Sequence, residues 1–132
     1  ENVVALEEAR AIGAGEAIFP NTRGELCEGT GSNVFLVSDG TLLTPPLSGG
    51  CLAGVTRALV IELAAREGIE IMEKAVPVAL LERAEEAFLT STTREVHAIR
   101  RVNGHILSRE PGPITRTLGR AFRAIAATEI DP

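Results

Sequence analysis

The sequence predicts a mixed α/β domain of the α+β kind, on three observations. Asp39-Gly40 and Asn103-Gly104 are two-residue hairpin signals, because both positions of such turns need positive φ. From Val55 the apolar period switches from strand-like to helical. A last amphipathic stripe, opened by Pro113, closes the chain with a second long helix.

Taken in order, Val3 to Ala14 reads as the rear of a helix, with Val4, Ala5, Ala9 and Ile12 near helical spacing and Gly13 as its stop. Glu16 to Phe19 is a short strand ended by the turn cluster Pro20 to Gly24. Glu25 to Glu28 and Asn33 to Val37 are strands on either side of Gly29-Thr30-Gly31, and Thr41 to Thr44 returns from the Asp39-Gly40 turn to be closed by Pro45-Pro46. In the first long helix Val55, Leu59, Val60, Leu63 and Ala64 share one face, and Gly68 occupies the C-cap. Ile69 to Val76 is a strand, Ala79 to Ala84 a short helix, and Glu86 to Thr90 and Glu95 to Val102 are strands. In the closing helix Ile114, Leu118, Ala121, Phe122 and Ile125 form the apolar stripe. No linker divides the 132 residues, a length that suits a single core.

Composition removes several classes of function. Aromatics are 3%, with no Trp or Tyr, which counts against the stacking platforms of single-stranded nucleic-acid binders. A net charge of −5 leaves no basic footprint for phosphate backbones or anionic membranes. No apolar run approaches the ~20 residues of a membrane helix. Cys27 and Cys51 are too far apart in sequence for a CxxC site and read as reduced thiols of a cytoplasmic protein. The opening Glu1-Asn2-Val3-Val4 has neither a basic leader nor an initiator Met and starts inside a helix, as a fragment would.

Three places combine small or hydroxyl residues with element ends. Glu28 leads into the glycine-rich turn ending at Asn33, and reads either as a turn with its carboxylate in water or as an acceptor delivered to a ligand. Gly54-Val55-Thr56-Arg57 opens a helix whose first N–H groups have no intrahelical partners. It reads either as a Thr helix cap or as a phosphate cup, with Arg57 either a ligand or, the favoured reading, an exposed salt-bridging side chain. Thr90-Ser91-Thr92-Thr93 is either a polar edge or a set of donors to one anion. His97 and His105 lack partners at metal-ligand spacing, so no metal site is expected, and Arg100-Arg101 reads as a solvated face. A G-x-S-x-G elbow, a P-loop and the spacing of a dinucleotide fingerprint are all missing.

In this order the segments resemble the fold-type IV family of pyridoxal 5′-phosphate enzymes, which includes class IV aminotransferases and 4-amino-4-deoxychorismate lyases. The resemblance is carried by Glu8-Ala9-Arg10 with Gly13, Gly15-Glu16-Ala17, Glu28-Gly29-Thr30-Gly31-Ser32-Asn33-Val34-Phe35, Asp39-Gly40, Thr44-Pro45-Pro46, Gly54-Val55-Thr56-Arg57, Phe88-Leu89-Thr90-Ser91-Thr92-Thr93 with Glu95, and Gly112-Pro113-Ile114-Thr115. These strings run nearly end to end and match the C-terminal half of the family's protomer. The resemblance implies one C-terminal cofactor-binding domain over residues 1–132, built on a mixed, largely antiparallel sheet or pseudo-barrel flanked by helices.

It also implies roles. Glu28 matches the carboxylate that keeps the cofactor's pyridine nitrogen protonated, which deepens the electron sink. Leu52 matches the apolar residue packed on a ring face, Val55 and Thr56 the helix-start phosphate cup, and Thr92 an opposing phosphate hydroxyl with Ser91 beside it. Thr93 matches a position whose backbone N–H meets the substrate carboxylate. The Schiff-base lysine of the family is expected about half a dozen residues before Glu1, outside this chain, and no other residue type forms that imine. Lys74, the only lysine, falls far from any matched segment, so the chain by itself is expected to be inactive. Relatives commonly carry a proline where Ala98 stands, which leaves His97 facing either substrate or solvent.

The implied function is the C-terminal half of an amino-acid aminotransferase acting on amino acids and keto acids, as a homodimer. One alternative is a 4-amino-4-deoxychorismate lyase that yields p-aminobenzoate and pyruvate. Another is a non-catalytic binding or assembly module that lacks the lysine. Ser91-Thr92-Thr93 with Glu95 looks closer to the aminotransferases, whereas Leu26-Cys27-Glu28-Gly29-Thr30-Gly31 resembles members described as lyases.

Overall fold

In the computed structural model, residues 17–92, 95–109 and 112–130 are described, the side chains of 128–130 excepted. The expected helix Val3 to Ala14, and Glu16 and Thr93, lie outside the described residues. The elements are β1 (Ile18–Pro20), β2 (Leu26–Gly29), β3 (Ser32–Ser38), β4 (Thr41–Thr44), α1 (Val55–Arg66), β5 (Ile71–Glu73), β6 (Glu86–Ser91), β7 (Glu95–Ile99), β8 (Arg101–Val102), β9 (His105–Ile106) and α2 (Pro113–Ile130). Short 3₁₀ turns occupy Leu47–Gly49 and Val78–Arg83.

β3 is the hub of a seven-stranded, mostly antiparallel sheet. Its residues Asn33 to Val37 pair along their length with β6, which pairs in turn with β7. Asn33 is also opposed by Glu28 of β2, and Leu36 by Leu43 of β4. β2 and β4 therefore share the β3 edge opposite β6 and fork apart between Asn33 and Leu36. The Thr44 hydroxyl bridges the fork, donating to the Val34 carbonyl at 2.8 Å.

The run Val34-Phe35-Leu36-Val37 is buried on both faces, which is why it reads as continuously apolar rather than alternating. Val34 and Leu36 join Leu26, Leu43, Leu81, Ala87, Leu89 and Leu107 in one core. Phe35 and Val37 join Leu42, Val60, Leu63, Phe88 and Leu118 in a second, beneath α1 and α2. Phe35 and Phe88 are cross-strand partners that stack with ring centroids 4.8 Å apart, an aromatic contact that ties β3 to β6 under both helices. The stripe Ile114, Leu118, Ala121, Phe122 and Ile125 lies in this second core.

Both hairpin turns adopt the left-handed backbone their residues favour: Asp39 and Gly40 have φ of 52° and 79°, Asn103 and Gly104 of 50° and 85°. Four expectations are corrected. Val55 does not share the buried face of α1; it is 79% exposed, because Thr56, one turn before Val60, takes the inward slot of the first turn. The strand Ile69 to Val76 contracts to Ile71–Glu73, the only part that runs parallel to β4, since the chain then crosses to β2, where the Leu26 N–H donates to the Val76 carbonyl. The short helix Ala79 to Ala84 is a 3₁₀ turn, Val78–Arg83. The strand Glu95 to Val102 breaks at Arg100, where β8 leaves the sheet to pair with β9.

Candidate functional site

α1 points its N-terminus at the end of β6. Its N-cap, Gly54, has no side chain to satisfy the first N–H groups, and among the described residues no capping hydrogen bond is seen to replace one. By contrast, the start of α2 is filled by the buried Glu86 carboxylate, which accepts from the N–H groups of Ile114 and Thr115 and from the Thr115 hydroxyl. In front of the open α1 terminus lies a cavity of about 130 Å³, walled by Gly31, Ser32, Asn33, Leu52, Gly54, Val55, Thr56, Thr90, Ser91 and Thr92. The loop before α1, the β2–β3 turn and the end of β6 thus meet at one place.

The wall is rich in donors. Thr56 is buried, and Thr90 is 1% exposed with a hydroxyl that finds no partner among the described residues. A buried hydroxyl left unpaired costs stability unless a ligand or water completes it. Uncapped N–H groups, the positive end of the helix dipole and this hydroxyl together form a receptor for an anion. The Leu52 side chain, 65% exposed, stands at the rim.

Glu28 reaches the site through a β-bulge. Phe19 opposes Glu28 but Pro20 opposes Leu26, so Cys27 is an extra residue in β2. The insertion reverses the side-chain alternation: Leu26 enters the first core, while Glu28 faces the same side as its partner Asn33. Asn33 is opposed in turn by Thr90, so Glu28, Asn33 and Thr90 form a row across three strands. Glu28 does not itself wall the cavity; its Oε1 accepts the Leu52 N–H at 2.8 Å. Among the described residues its other carboxylate oxygen accepts no hydrogen bond. The site therefore has an electropositive end at α1 and an anionic end at Glu28.

Arg57 corrects the expectation of an exposed salt bridge. It pairs with Glu73 at 2.6 Å, but is only 5% exposed and also donates to the Pro45 carbonyl at 3.2 Å. It fastens the loop before α1 to β5 and does not wall the cavity. Lys74 sits at the end of β5, its N–H donating to the Thr44 carbonyl, and does not wall the cavity either. His97 is exposed on β7, and His105 meets Glu82 at 3.3 Å on the β8–β9 hairpin. Among the described residues no three His, Cys, Asp or Glu side chains cluster as a metal site.

Of the residues singled out in the sequence, Leu52, Val55, Thr56, Ser91 and Thr92 come together on the cavity wall, and Glu28 is joined to them through Leu52. Residue-level reading passed over Asn33 and Thr90 as individuals. The available signal was a polar residue at the end of each of two apolar strands, Asn33 before Val34-Phe35-Leu36-Val37 and Thr90 after Ala87-Phe88-Leu89.

A family model described as amino-transferase class IV matches residues 1–102. The chain is 38% identical over 122 residues to the branched-chain-amino-acid aminotransferase of Pseudomonas aeruginosa, covering 92% of this chain and 39% of that protein. Among solved structures, the branched-chain aminotransferase of Thermoproteus uzoniensis with norvaline superposes with a TM-score of 0.92 at 40% identity, covering 98% of this chain and 43% of that one. The branched-chain amino acid aminotransferase of Thermobaculum terrenum in its PLP form gives 0.93 at 37% identity, covering 96% and 42%. The chain spans about two fifths of the length of the curated relatives it matches.

Proposed function

Because the chain belongs to the class IV aminotransferase family, we propose that it is the cofactor-binding part of a pyridoxal-5′-phosphate-dependent amino-acid aminotransferase. The observation that carries the reading is the meeting of the uncapped α1 start with Ser91 and Thr92 on one cavity, with Glu28 tied to the Leu52 backbone beside it. The donor set fits the cofactor. The N–H groups of Val55 and Thr56 and the hydroxyls of Thr56 and Thr92, with Ser91 beside them, suit the phosphate, and the unpaired Thr90 hydroxyl shows capacity to spare.

Leu52 presents an apolar surface for a ring face. The unbonded oxygen of Glu28 is suited to hold a proton on the ring nitrogen, since a neighbouring anion favours the charged form. When bound, pyridoxal phosphate supplies an electron-withdrawing ring that stabilises negative charge developing at the Cα of an amino acid. Arg57, through the Pro45 carbonyl, and Asn33, through the Leu52 carbonyl, keep the loop before α1 in place. The backbone N–H of Thr93 is assigned to the substrate carboxylate.

The lysine that anchors the cofactor is assigned to the remainder of the full-length protein, because Lys74 lies just past β5 and does not wall the cavity. Most of the substrate pocket is assigned there too. Amino acids and 2-keto acids as substrates, a homodimer and a cytoplasmic location complete the reading; among the described residues no helix is long and apolar enough to cross a membrane.

The test is an assay of the full-length protein with pyridoxal phosphate, supplying branched-chain amino acids, D-alanine and 4-amino-4-deoxychorismate in turn. Transfer of the amino group to a 2-keto acid is expected. Pyruvate released from 4-amino-4-deoxychorismate without amino transfer would replace this reading with a lyase, and turnover of nothing would favour a non-catalytic module.

A further inference from the structure

Leu52 is held by both of its backbone polar groups. Its N–H donates to Glu28 Oε1 at 2.8 Å, and its carbonyl accepts from Asn33 Nδ2 at 2.8 Å. The two residues that grip it are direct partners across β2 and β3, so one rung of the ladder reaches across to a loop 19 residues further along the chain. The stretch from Leu52 to Gly54 belongs to no helix or strand, and its one large side chain is mostly exposed, so packing does little to fix it.

Asn33 also sets the start of α1. Its Oδ1 lies against the Gly54 backbone so closely that a Cβ on Gly54 would stand 2.4 Å away. The amide has one workable orientation, because reversing it would set oxygen against the Leu52 carbonyl. Asn33 is 5% exposed, so both contacts are made with little competition from water. An amide meets this double demand: a donor for the carbonyl and a flat acceptor edge where only a glycine fits.

We propose that Asn33 is a positioning residue for cofactor binding, acting through Leu52 and Gly54: paired with Glu28, it clamps the Leu52 backbone and thereby sets the apolar face and the helix start between which the cofactor is held. This inference rests on the pyridoxal-phosphate reading above. Without the amide, the 52–54 loop keeps its hydrogen bond to Glu28 alone. Glu28 then has its carboxylate bonded to a loop that can shift, which couples the two residues energetically.

The test uses the full-length protein with Asn33→Ala and Asn33→Leu. The apo-proteins are titrated with pyridoxal phosphate to give its dissociation constant, the visible spectrum of the bound cofactor is recorded, and apo-protein melting is followed separately. Asn33→Leu keeps about the same volume and removes the donor without adding charge, so it reads the clamp even where the truncation unfolds the protein. Each Asn33 variant is expected to weaken cofactor binding about tenfold, the worth of one net hydrogen bond, and to shift the bound spectrum. Lower melting temperatures with an unchanged dissociation constant and spectrum would reduce Asn33 to a structural residue and overturn the proposal. A wild-type protein that binds no pyridoxal phosphate would overturn the cofactor reading itself, and this inference with it.

Discussion

Glu86 Oε1 accepts two hydrogen bonds from Thr115, one from the backbone N–H at 2.7 Å and one from the hydroxyl at 2.6 Å. A β6 carboxylate thereby does for α2 what a side chain at the helix start ordinarily does, and Gly112 leaves it room: a Cβ there would meet the carboxyl carbon at 2.3 Å. Glu86→Ala removes both bonds and the one from Ile114. It is expected to destabilise the protein by about 2–3 kcal/mol, the range for hydrogen bonds to a charged group, read from the midpoint of urea unfolding. Gly112→Ala is expected to destabilise as well, because the carboxylate would have to leave its hydrogen bonds to Ile114 and Thr115 to make room.

The stacked pair of Phe35 and Phe88 carries the second core beneath both helices. Phe88→Ala leaves a void that the close-packed surroundings fill only in part, at a cost of about 3–5 kcal/mol. Phe88→Leu is expected to lose clearly less. Equal midpoints for the two variants in urea would show that the site collapses without penalty.

At the anionic end of the site, Glu28→Gln removes the charge but keeps an acceptor for the Leu52 N–H. In the full-length protein, kcat is expected to fall about a hundredfold, the scale of losing one electrostatic partner of the developing charge, while the dissociation constant of pyridoxal phosphate changes far less. Wild-type turnover in the variant would remove Glu28 from the ring nitrogen.

Burial raises the Cys27 and Cys51 thiols above their ordinary value of 9.0, with the neighbouring Glu28 adding to the effect on both and Arg57 opposing it at Cys51. The folded protein therefore holds these protons at pH values where the unfolded chain releases them. Their contribution to stability is complete below the ordinary thiol value and is lost as pH rises through the raised one. Both thiols are expected to react slowly with iodoacetamide near neutral pH and faster in urea, followed by mass spectrometry. Urea midpoints should decline above about pH 9, and Cys→Ser variants should decline less.

Legibility followed the range of the interaction concerned. Asp39-Gly40 and Asn103-Gly104 were readable because a positive φ is a property of the residues in the turn themselves. The α2 stripe was readable because its period is local, and its burial follows for any partner that covers it. The start of α1 was readable as either cap or cup. What separates the two is whether another element supplies a capping group, as Glu86 does for α2 and as none is seen to do for α1 among the described residues.

The local chemistry of the chain by itself determined the order of strands and helices, the two tight turns and the identity of the groups that gather at the cavity. The tertiary structure alone decided which way those groups face. A single inserted residue, Cys27, turned Glu28 from the Leu26 side to the Asn33 side, the fork of β2 from β4 left room for the loop that Asn33 holds, and the return of the chain from α1 into β5 beside β4 brought Glu73 onto a buried Arg57. The loop contact and the ion pair depend on partners at least 16 residues away, and the bulge depends on how β2 pairs with β1; no period or turn preference within a short window encodes either.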